Sequence, residues 1–198
     1  MRISFDKGDI NFYFSFQCPY SFITWRLLSD ILKDNEKVSL NPINIGIAID
    51  GWNKYSYMNL WGGERWLRLS REAQSLGIKI SKPLNIFNEE LVARAIESYE
   101  NTGAEYYIST VFKAVFISNL DISISNVIRY FLQSEGNDSE VFMEALGNEN
   151  TLIKYKNNLD LWHKKRIRLV PTIEIGTDRI SGFVKKRQIE DFLRPLLE

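Results

Sequence analysis

Residues 10–16 combine aromatic side chains with a weak apolar and polar alternation, and this pattern predicts a buried β-strand. The period changes after Pro19, where apolar residues recur at spacings of three and four and predict one face of a helix that ends near Asp34. The next apolar run, 38–45, predicts a second strand. A strand, a helix and a strand in this order form a βαβ unit, whose two strands are parallel.

The segment from about residue 60 to residue 165 has a helical period throughout. The first helix is marked by Trp66, Leu69 and Ala73, and it is stopped by Gly77. Further helical runs follow, and the last is predicted as one helix over 151–165. This all-helical block therefore separates the βαβ unit from the end of the chain.

β-structure is predicted again after the helical block. The run 169–175 predicts a strand, residues 176–178 a tight turn, and 179–182 its hairpin partner, before a final amphipathic helix. The order βαβ, helices, ββα is that of an α/β thioredoxin-like fold with a large helical insertion. We expect residues 1–59 and 166–198 to form the thioredoxin-like domain and residues 60–165 the insertion.

Composition restricts the classes of partner. The chain has 198 residues, and its 25 Lys and Arg residues balance its 25 Asp and Glu residues. No global field therefore attracts nucleic acid or an anionic membrane, so small molecules or proteins are favoured as partners. No apolar run approaches the ~20 residues of a membrane span, and the N-terminus lacks the pattern of a signal peptide. One cysteine excludes an intramolecular disulfide, and together these features predict a cytoplasmic protein.

Cys18 is the candidate catalytic residue because it stands where the first strand gives way to the first helix. Proline is favoured in the first helical turn, so Pro19 leaves Cys18 at the helix N-terminus. Unpaired amides and the helix dipole there favour a thiolate, which predicts a pKa below the ordinary value of about 8.5. The alternative is a buried cysteine that acts only as a small apolar side chain.

Two motifs resemble the DsbA-like branch of the thioredoxin superfamily. One is Cys18-Pro19-Tyr20-Ser21 after the aromatic strand, and the other is Leu169-Val170-Pro171-Thr172 at the start of a late strand. The run 14–21 is most similar to 2-hydroxychromene-2-carboxylate isomerases and kappa-class glutathione transferases, whose motif at this place is Ser-Pro-Tyr. This resemblance implies glutathione as a cofactor and a cis peptide bond before Pro171. It also implies a set of residues that bind glutathione or substrate: Pro19, Tyr20, Ser21, Asn53, Val170 and Pro171.

The chain departs from these relatives at three places. Cys18 stands where the isomerase and transferase branch usually has the serine that hydrogen-bonds the glutathione sulfur. Ser21 stands where dithiol oxidoreductases have their second, resolving cysteine. Residues 182–185 replace the acidic or hydroxyl-bearing loop that usually meets the α-amino end of glutathione. The chain therefore combines the first thiol of a redox motif with the second residue of a transferase motif.

Three functions stay open at this point. The first is a glutathione-dependent isomerase or transferase that uses Cys18 and acts on a small electrophilic aromatic compound. The second is DsbA-like monothiol disulfide exchange with a cysteinyl peptide, in which glutathione resolves the mixed disulfide. The third is a noncatalytic protein that binds peptides in the same groove. No metal-ligand spacing is present in the sequence, and a homodimer is left open.

Overall fold

The computed structural model describes residues 9–35, 38–46, 62–84, 87–99 and 102–197. These residues contain one mixed sheet, whose strand order is β2-β1-β3-β4. β1 is parallel to β2 and antiparallel to β3, and β3 forms a hairpin with β4. The strands are β1 (Asp9–Phe14), β2 (Ser39–Asn44), β3 (Thr172–Ile175) and β4 (Asp178–Ser181).

Helices make up most of the remaining described chain, and most of them lie between β2 and β3. They are α1 (Pro19–Leu32), α2 (Gly63–Ser75), α3 (Glu90–Ala95), α4 (Thr102–Phe116), α5 (Ser125–Ser134), α6 (Ser139–Gly147), α7 (Glu149–Leu159), α8 (Leu161–Lys165) and α9 (Lys186–Leu197). The α/β thioredoxin-like fold with a helical insertion is confirmed. The division into domains at residues 59 and 166 stays a prediction.

Two predicted elements differ from the structure. The single helix predicted over 151–165 is two helices, because the chain turns at Asp160 and buries Trp162 against the sheet, where its indole donates to the carbonyl of Ile45 at 2.7 Å. The strand predicted over 169–175 begins only at Thr172. Pro171 has no N–H to give to a strand ladder, so the segment before Thr172 is a loop.

The two faces of β1 differ in chemistry because strand residues alternate between faces. Ile10, Phe12 and Phe14 are fully buried in the main core. There Phe14 packs against Phe112 of α4, with 5.6 Å between ring centres. The intervening Tyr13 belongs to a smaller cluster that also contains Ile45, Trp162 and Ile167. β1 is thus covered on both sides, and its C-terminal end leads directly into the turn that carries Cys18.

None of the described helices is both long and apolar enough to cross a membrane.

Candidate functional site

Cys18 occupies the N-cap of α1, where the sequence predicts it. Its backbone is extended, with φ −94° and ψ 109°, and Pro19 is the first helical residue. The carbonyl of Cys18 already accepts the N–H of Phe22 at 3.1 Å, as the first bond of the helix. Cys18 is 8% exposed, so the thiol is nearly enclosed.

The thiol lies between α1 and the loop that precedes β3. Its Sγ is 3.6 Å from the carbonyl oxygen of Val170, and the S–H donates to that oxygen. The peptide bond between Val170 and Pro171 is cis. The structure therefore brings together Cys18, Val170 and Pro171. Cys18 and Val170 are 152 residues apart in the sequence.

Ser21 contributes a hydroxyl group to this site. It is fully buried, and its hydroxyl hydrogen-bonds the sulfur of Cys18. The N–H of Ser15 donates to Ser21 Oγ at 3.5 Å, which leaves the hydroxyl proton of Ser21 to point at the sulfur. Ser21 therefore supports charge on Cys18, in place of acting as a second thiol.

The predicted direction of the Cys18 pKa shift is wrong in the structure. Burial raises the pKa of the Cys18 thiol above its ordinary value. Hydrogen bonds from the Ser21 side chain and from the backbone of Ser21 and Tyr20 lower it, but they do not offset the loss of hydration. The helix terminus is present as predicted, and the enclosure of the sulfur, which the local sequence does not reveal, outweighs it.

An aromatic wall borders the site. Tyr20 and Phe183 are half-buried and pack with 5.1 Å between ring centres. Burial raises the pKa of Tyr20, the nearby Cys18 raises it further, and Arg65 and Arg68 of α2 oppose the shift. The loop that replaces the family's acidic segment thus contributes an apolar ring, and α2 contributes positive charge.

Of the two remaining predicted site residues, Pro19 and Asn53, the structure describes only Pro19. Pro19 is buried at the start of α1, next to the thiol in sequence. Asn53 lies outside the described residues, and its role in binding stays a prediction.

Sequence reasoning missed Glu89, which the fold brings to the turn preceding Cys18. The residue is 3% exposed, and burial raises the pKa of its carboxyl group. Its side chain accepts the hydroxyl of Ser15 at 2.8 Å and the N–H of Phe16 at 2.6 Å. In the sequence Glu89 stands beside Glu90 at a helix start, where acidic residues are usually solvated, so no local signal separates the two.

Among the described residues, no group of three or more His, Cys, Asp or Glu side chains is arranged to hold a metal ion.

A mixed sheet of this order, with a cysteine at the N-cap of α1 opposite a cis-proline loop, defines a thioredoxin-like protein. The family model of the DsbA-like thioredoxin domain matches residues 9–194. The chain therefore belongs to the DsbA-like thioredoxin family. No curated protein sequence matches it significantly.

Several solved structures share this fold over nearly the whole chain. A 2-hydroxychromene-2-carboxylate isomerase superposes with a TM-score of 0.77 at 21% identity, covering 96% of both chains. The cytosolic disulfide reductase DsbM from Pseudomonas aeruginosa with GSH gives 0.71 at 12% identity, covering 96% of this chain and 98% of that one. Reduced DsbA1 from Neisseria meningitidis gives 0.62 at 12% identity, covering 100% and 86%. At these identities the likeness establishes the fold alone.

Proposed function

We propose that this protein is a glutathione-dependent isomerase or transferase in which the Cys18 thiol binds the sulfur of glutathione. The observation that carries the proposal is the enclosed thiol at the N-cap of α1. Since burial raises the pKa of Cys18, the group is an S–H donor at neutral pH. An S–H can donate a weak hydrogen bond to a glutathione thiolate, as the serine does in the isomerase and transferase branch that the motif resembles.

The absence of a second thiol supports the same conclusion. Cys18 is the single cysteine of the sequence, and Ser21 occupies the place of a resolving cysteine. Net oxidation of a substrate dithiol by this chain alone therefore has no intramolecular second step. Chemistry in which glutathione is the nucleophile does not need that step.

The surroundings of the thiol suit an aromatic electrophile. Tyr20 and Phe183 form an apolar wall, and Leu169, which directly precedes Val170, is 51% exposed. Arg65 and Arg68 are exposed on α2 and interact electrostatically with Tyr20. We assign the wall to the planar substrate and the two arginines to carboxylate groups of glutathione or substrate.

In this mechanism the glutathione sulfur adds to an electrophilic carbon of the substrate. The addition converts a double bond to a single bond, which can then rotate. Expulsion of the glutathione thiolate restores the double bond in the isomer, whereas retention of the new C–S bond gives the transferase product. Cys18 and the amides at the start of α1 stabilise the sulfur whenever it carries negative charge.

Glutathione binding to wild type, Cys18→Ser and Cys18→Ala, measured by calorimetry, tests the proposal. Serine keeps a donor, so we expect affinity within about tenfold of wild type, or 1.4 kcal/mol. Alanine removes both the Sγ atom and the donor, and we expect weaker binding than in the serine variant. Ser134→Ala, at an exposed position of α5, is the control and should bind like wild type. No saturable binding in the wild-type protein would refute the proposal.

Monothiol disulfide exchange is a second candidate, favoured by the position of the Val170 backbone beside the sulfur. An extended cysteinyl peptide can pair with such a segment as an added strand. The Cys18 thiolate would attack the glutathione sulfur of a glutathionylated peptide, release the peptide thiolate and form a Cys18–glutathione disulfide. A free glutathione thiolate would then attack that glutathione sulfur, giving oxidised glutathione and restoring Cys18.

Reduction of a glutathionylated peptide by wild type and Cys18→Ser separates the two candidates. A serine hydroxyl without an activating base is a poor nucleophile, so exchange should disappear in the variant. The wild-type protein should also form a mixed disulfide with oxidised glutathione, visible as a mass gain that reduced glutathione reverses. Peptide reduction that persists in Cys18→Ser would rule out the exchange mechanism.

Cytoplasmic localisation belongs to the same proposal, because a chain with one cysteine and no intramolecular disulfide is compatible with a reducing compartment. Association as a homodimer stays a prediction, which light scattering of the purified protein would test.

A further inference from the structure

Glu89 is a buried carboxyl group that neither proposed mechanism uses. The residue lies directly before α3, in the chain segment between β2 and β3. The partners that the structure gives to its carboxyl oxygens are neutral hydrogen-bond donors. Burial of a carboxylate is unfavourable unless hydrogen bonds replace its hydration, so these donors decide whether Glu89 can carry charge.

The donors come mainly from the turn that leads into Cys18. Oε1 of Glu89 accepts the hydroxyl of Ser15 at 2.8 Å, and Oε2 accepts the N–H of Phe16 at 2.6 Å. Asn44, the last residue of β2, donates its side-chain amide to Oε2 at 3.1 Å. Gln17 adds a further side-chain hydrogen bond. Several donors directed at the carboxyl oxygens match a carboxylate, which only accepts.

The segment 87–89 also donates a hydrogen bond to the turn 15–17. The N–H of Phe87 donates to the side-chain oxygen of Gln17 at 3.1 Å. Ser15 Oγ accepts the N–H of Gln17 at 3.1 Å while its own proton goes to Glu89. The turn 15–17, which directly precedes Cys18, is therefore bonded to the segment 87–89 through hydrogen bonds in both directions.

Glu89 also acts on Cys18 through its charge. Desolvation is the main reason that the pKa of Cys18 is raised, and the negative charge of Glu89 raises it further. Charged and titratable groups of neighbouring elements surround this pair. Tyr20 on α1 interacts electrostatically with Cys18 and also with Arg65 and Arg68 of α2. Tyr155 on α7 interacts electrostatically with Glu89 and with Glu90 at the start of α3. At the alkaline pH where the thiol loses its proton, a carboxyl group is ionised, so the two negative charges oppose each other.

We propose that Glu89 is a positioning residue for Cys18, which fixes the turn 15–17 through its hydrogen bonds and places a carboxyl group at the turn that leads into the thiol. This role concerns the thiol itself and does not depend on which substrate the protein uses.

The test is the rate of Cys18 alkylation by iodoacetamide as a function of pH in wild type and Glu89→Gln. The variant keeps size and removes the charge, so the midpoint should fall by about half a pH unit, which is roughly a threefold larger thiolate fraction below the midpoint. Glu174→Gln is the matched control, since Glu174 is 1% exposed and its partners Tyr13, Lys165 and Arg179 lie outside the turn 15–17. Its midpoint should equal that of wild type.

Glu89→Asp separates charge from position. The shorter side chain keeps the carboxylate but cannot reach all donors, so alkylation at the alkaline plateau should change while the midpoint stays closer to wild type than in Glu89→Gln. An unchanged midpoint in Glu89→Gln, or an equal shift in Glu174→Gln, would overturn the proposal.

A measurement on the wild-type protein decides the case if any of these variants fails to fold. The side-chain carboxyl carbon of Glu89, labelled with ¹³C, should show a chemical-shift step at the alkylation midpoint of Cys18. The step should vanish in Cys18→Ser, which has no thiol to titrate. A Glu89 signal without this step in wild type would contradict the coupling.

Discussion

Glu89 and Glu174 are two buried carboxyl groups with opposite environments. They are 3% and 1% exposed. Glu174 pairs with Lys165 at 2.8 Å and with Arg179 at 2.5 Å. Glu89 is bonded by neutral donors from the turn before Cys18 and from β2. Equal burial thus accompanies two different ways of replacing water around a carboxylate.

The difference appears in the direction of the two pKa shifts. Burial raises the pKa of Glu89, and its hydrogen bonds do not offset this. Burial also acts on Glu174, but hydrogen bonds from Lys165, Tyr13 and Arg179, together with the charge of Lys165, bring its pKa below the ordinary value. The Glu174 network links β1, β3 and β4, whereas Glu89 is a carboxyl group with a raised pKa at the turn that precedes the thiol.

The largest effect is expected on removing a cation from Glu174. Arg179→Ala should lower the free energy of unfolding by about 2 kcal/mol, less than for a fully buried pair because the Arg179 side chain is 33% exposed. Arg187→Ala is the matched control, since that side chain is 90% exposed and its ion pair with Asp191 is 3.9 Å long. Urea unfolding measures both, and equal stability of the two variants would contradict the assignment.

Loss of one hydroxyl donor should affect Glu89 more than Glu174. Ser15→Ala removes a hydrogen bond to a carboxyl group without a cation and leaves the N–H of Gln17 without its acceptor, so we expect a loss of about 1.5 kcal/mol. Tyr13→Phe removes a 2.9 Å bond to Glu174, which keeps its two cations, and about 0.5 kcal/mol is expected. A lower urea midpoint for Tyr13→Phe than for Ser15→Ala would contradict the expected difference between the two carboxyl groups.

The two groups should give stability opposite pH dependences. The contribution of Glu174 is present above its ordinary pKa of 4.5 and is lost as pH falls through its lowered folded value. The contribution of Glu89 is full below 4.5 and is lost as pH rises through its raised folded value. Glu174→Gln should therefore reduce the rise of the unfolding free energy with pH on the acid side. Glu89→Gln should reduce the fall of the unfolding free energy as pH increases above 4.5. Each slope should change by at most about 1.4 kcal/mol per pH unit.

Unfolding free energies across a pH series on wild type and both glutamine variants measure these slopes. The same sign of change in both variants would show that the two environments do not differ as described.

The smallest effect concerns Ser21. Ser21→Ala removes the hydroxyl that supports charge on Cys18, so the alkylation midpoint should rise by about half a pH unit, opposite to Glu89→Gln. Ser109→Ala is the control, since the hydroxyl oxygen of Ser109 accepts the indole N–H of Trp25 at 2.9 Å. A midpoint that falls or stays constant in Ser21→Ala would show that the hydroxyl does not act on the sulfur.

Local sequence predicted the parts of the site that short-range rules control. Pro19 fixes the start of α1, so the position of Cys18 at its N-cap could be inferred from two adjacent residues. The resemblance placed Val170 and Pro171 opposite the thiol, and the structure gives 3.6 Å between Sγ and the Val170 carbonyl. The pKa direction of Cys18 could not be inferred, because it depends on enclosure by segments distant in the chain.

Local sequence is enough to predict the order of the strands and helices, the class of fold and the single thiol at a helix start, because periodicity and capping act over a few residues. The environment that controls protonation depends on packing between distant parts of the chain. This packing brought Glu89 to residues 15–17 across more than 70 positions and set Lys165 and Arg179 around Glu174. Burial and electrostatic partners arise from packing between distant segments, so two buried carboxyl groups of one chain can have opposite pKa shifts.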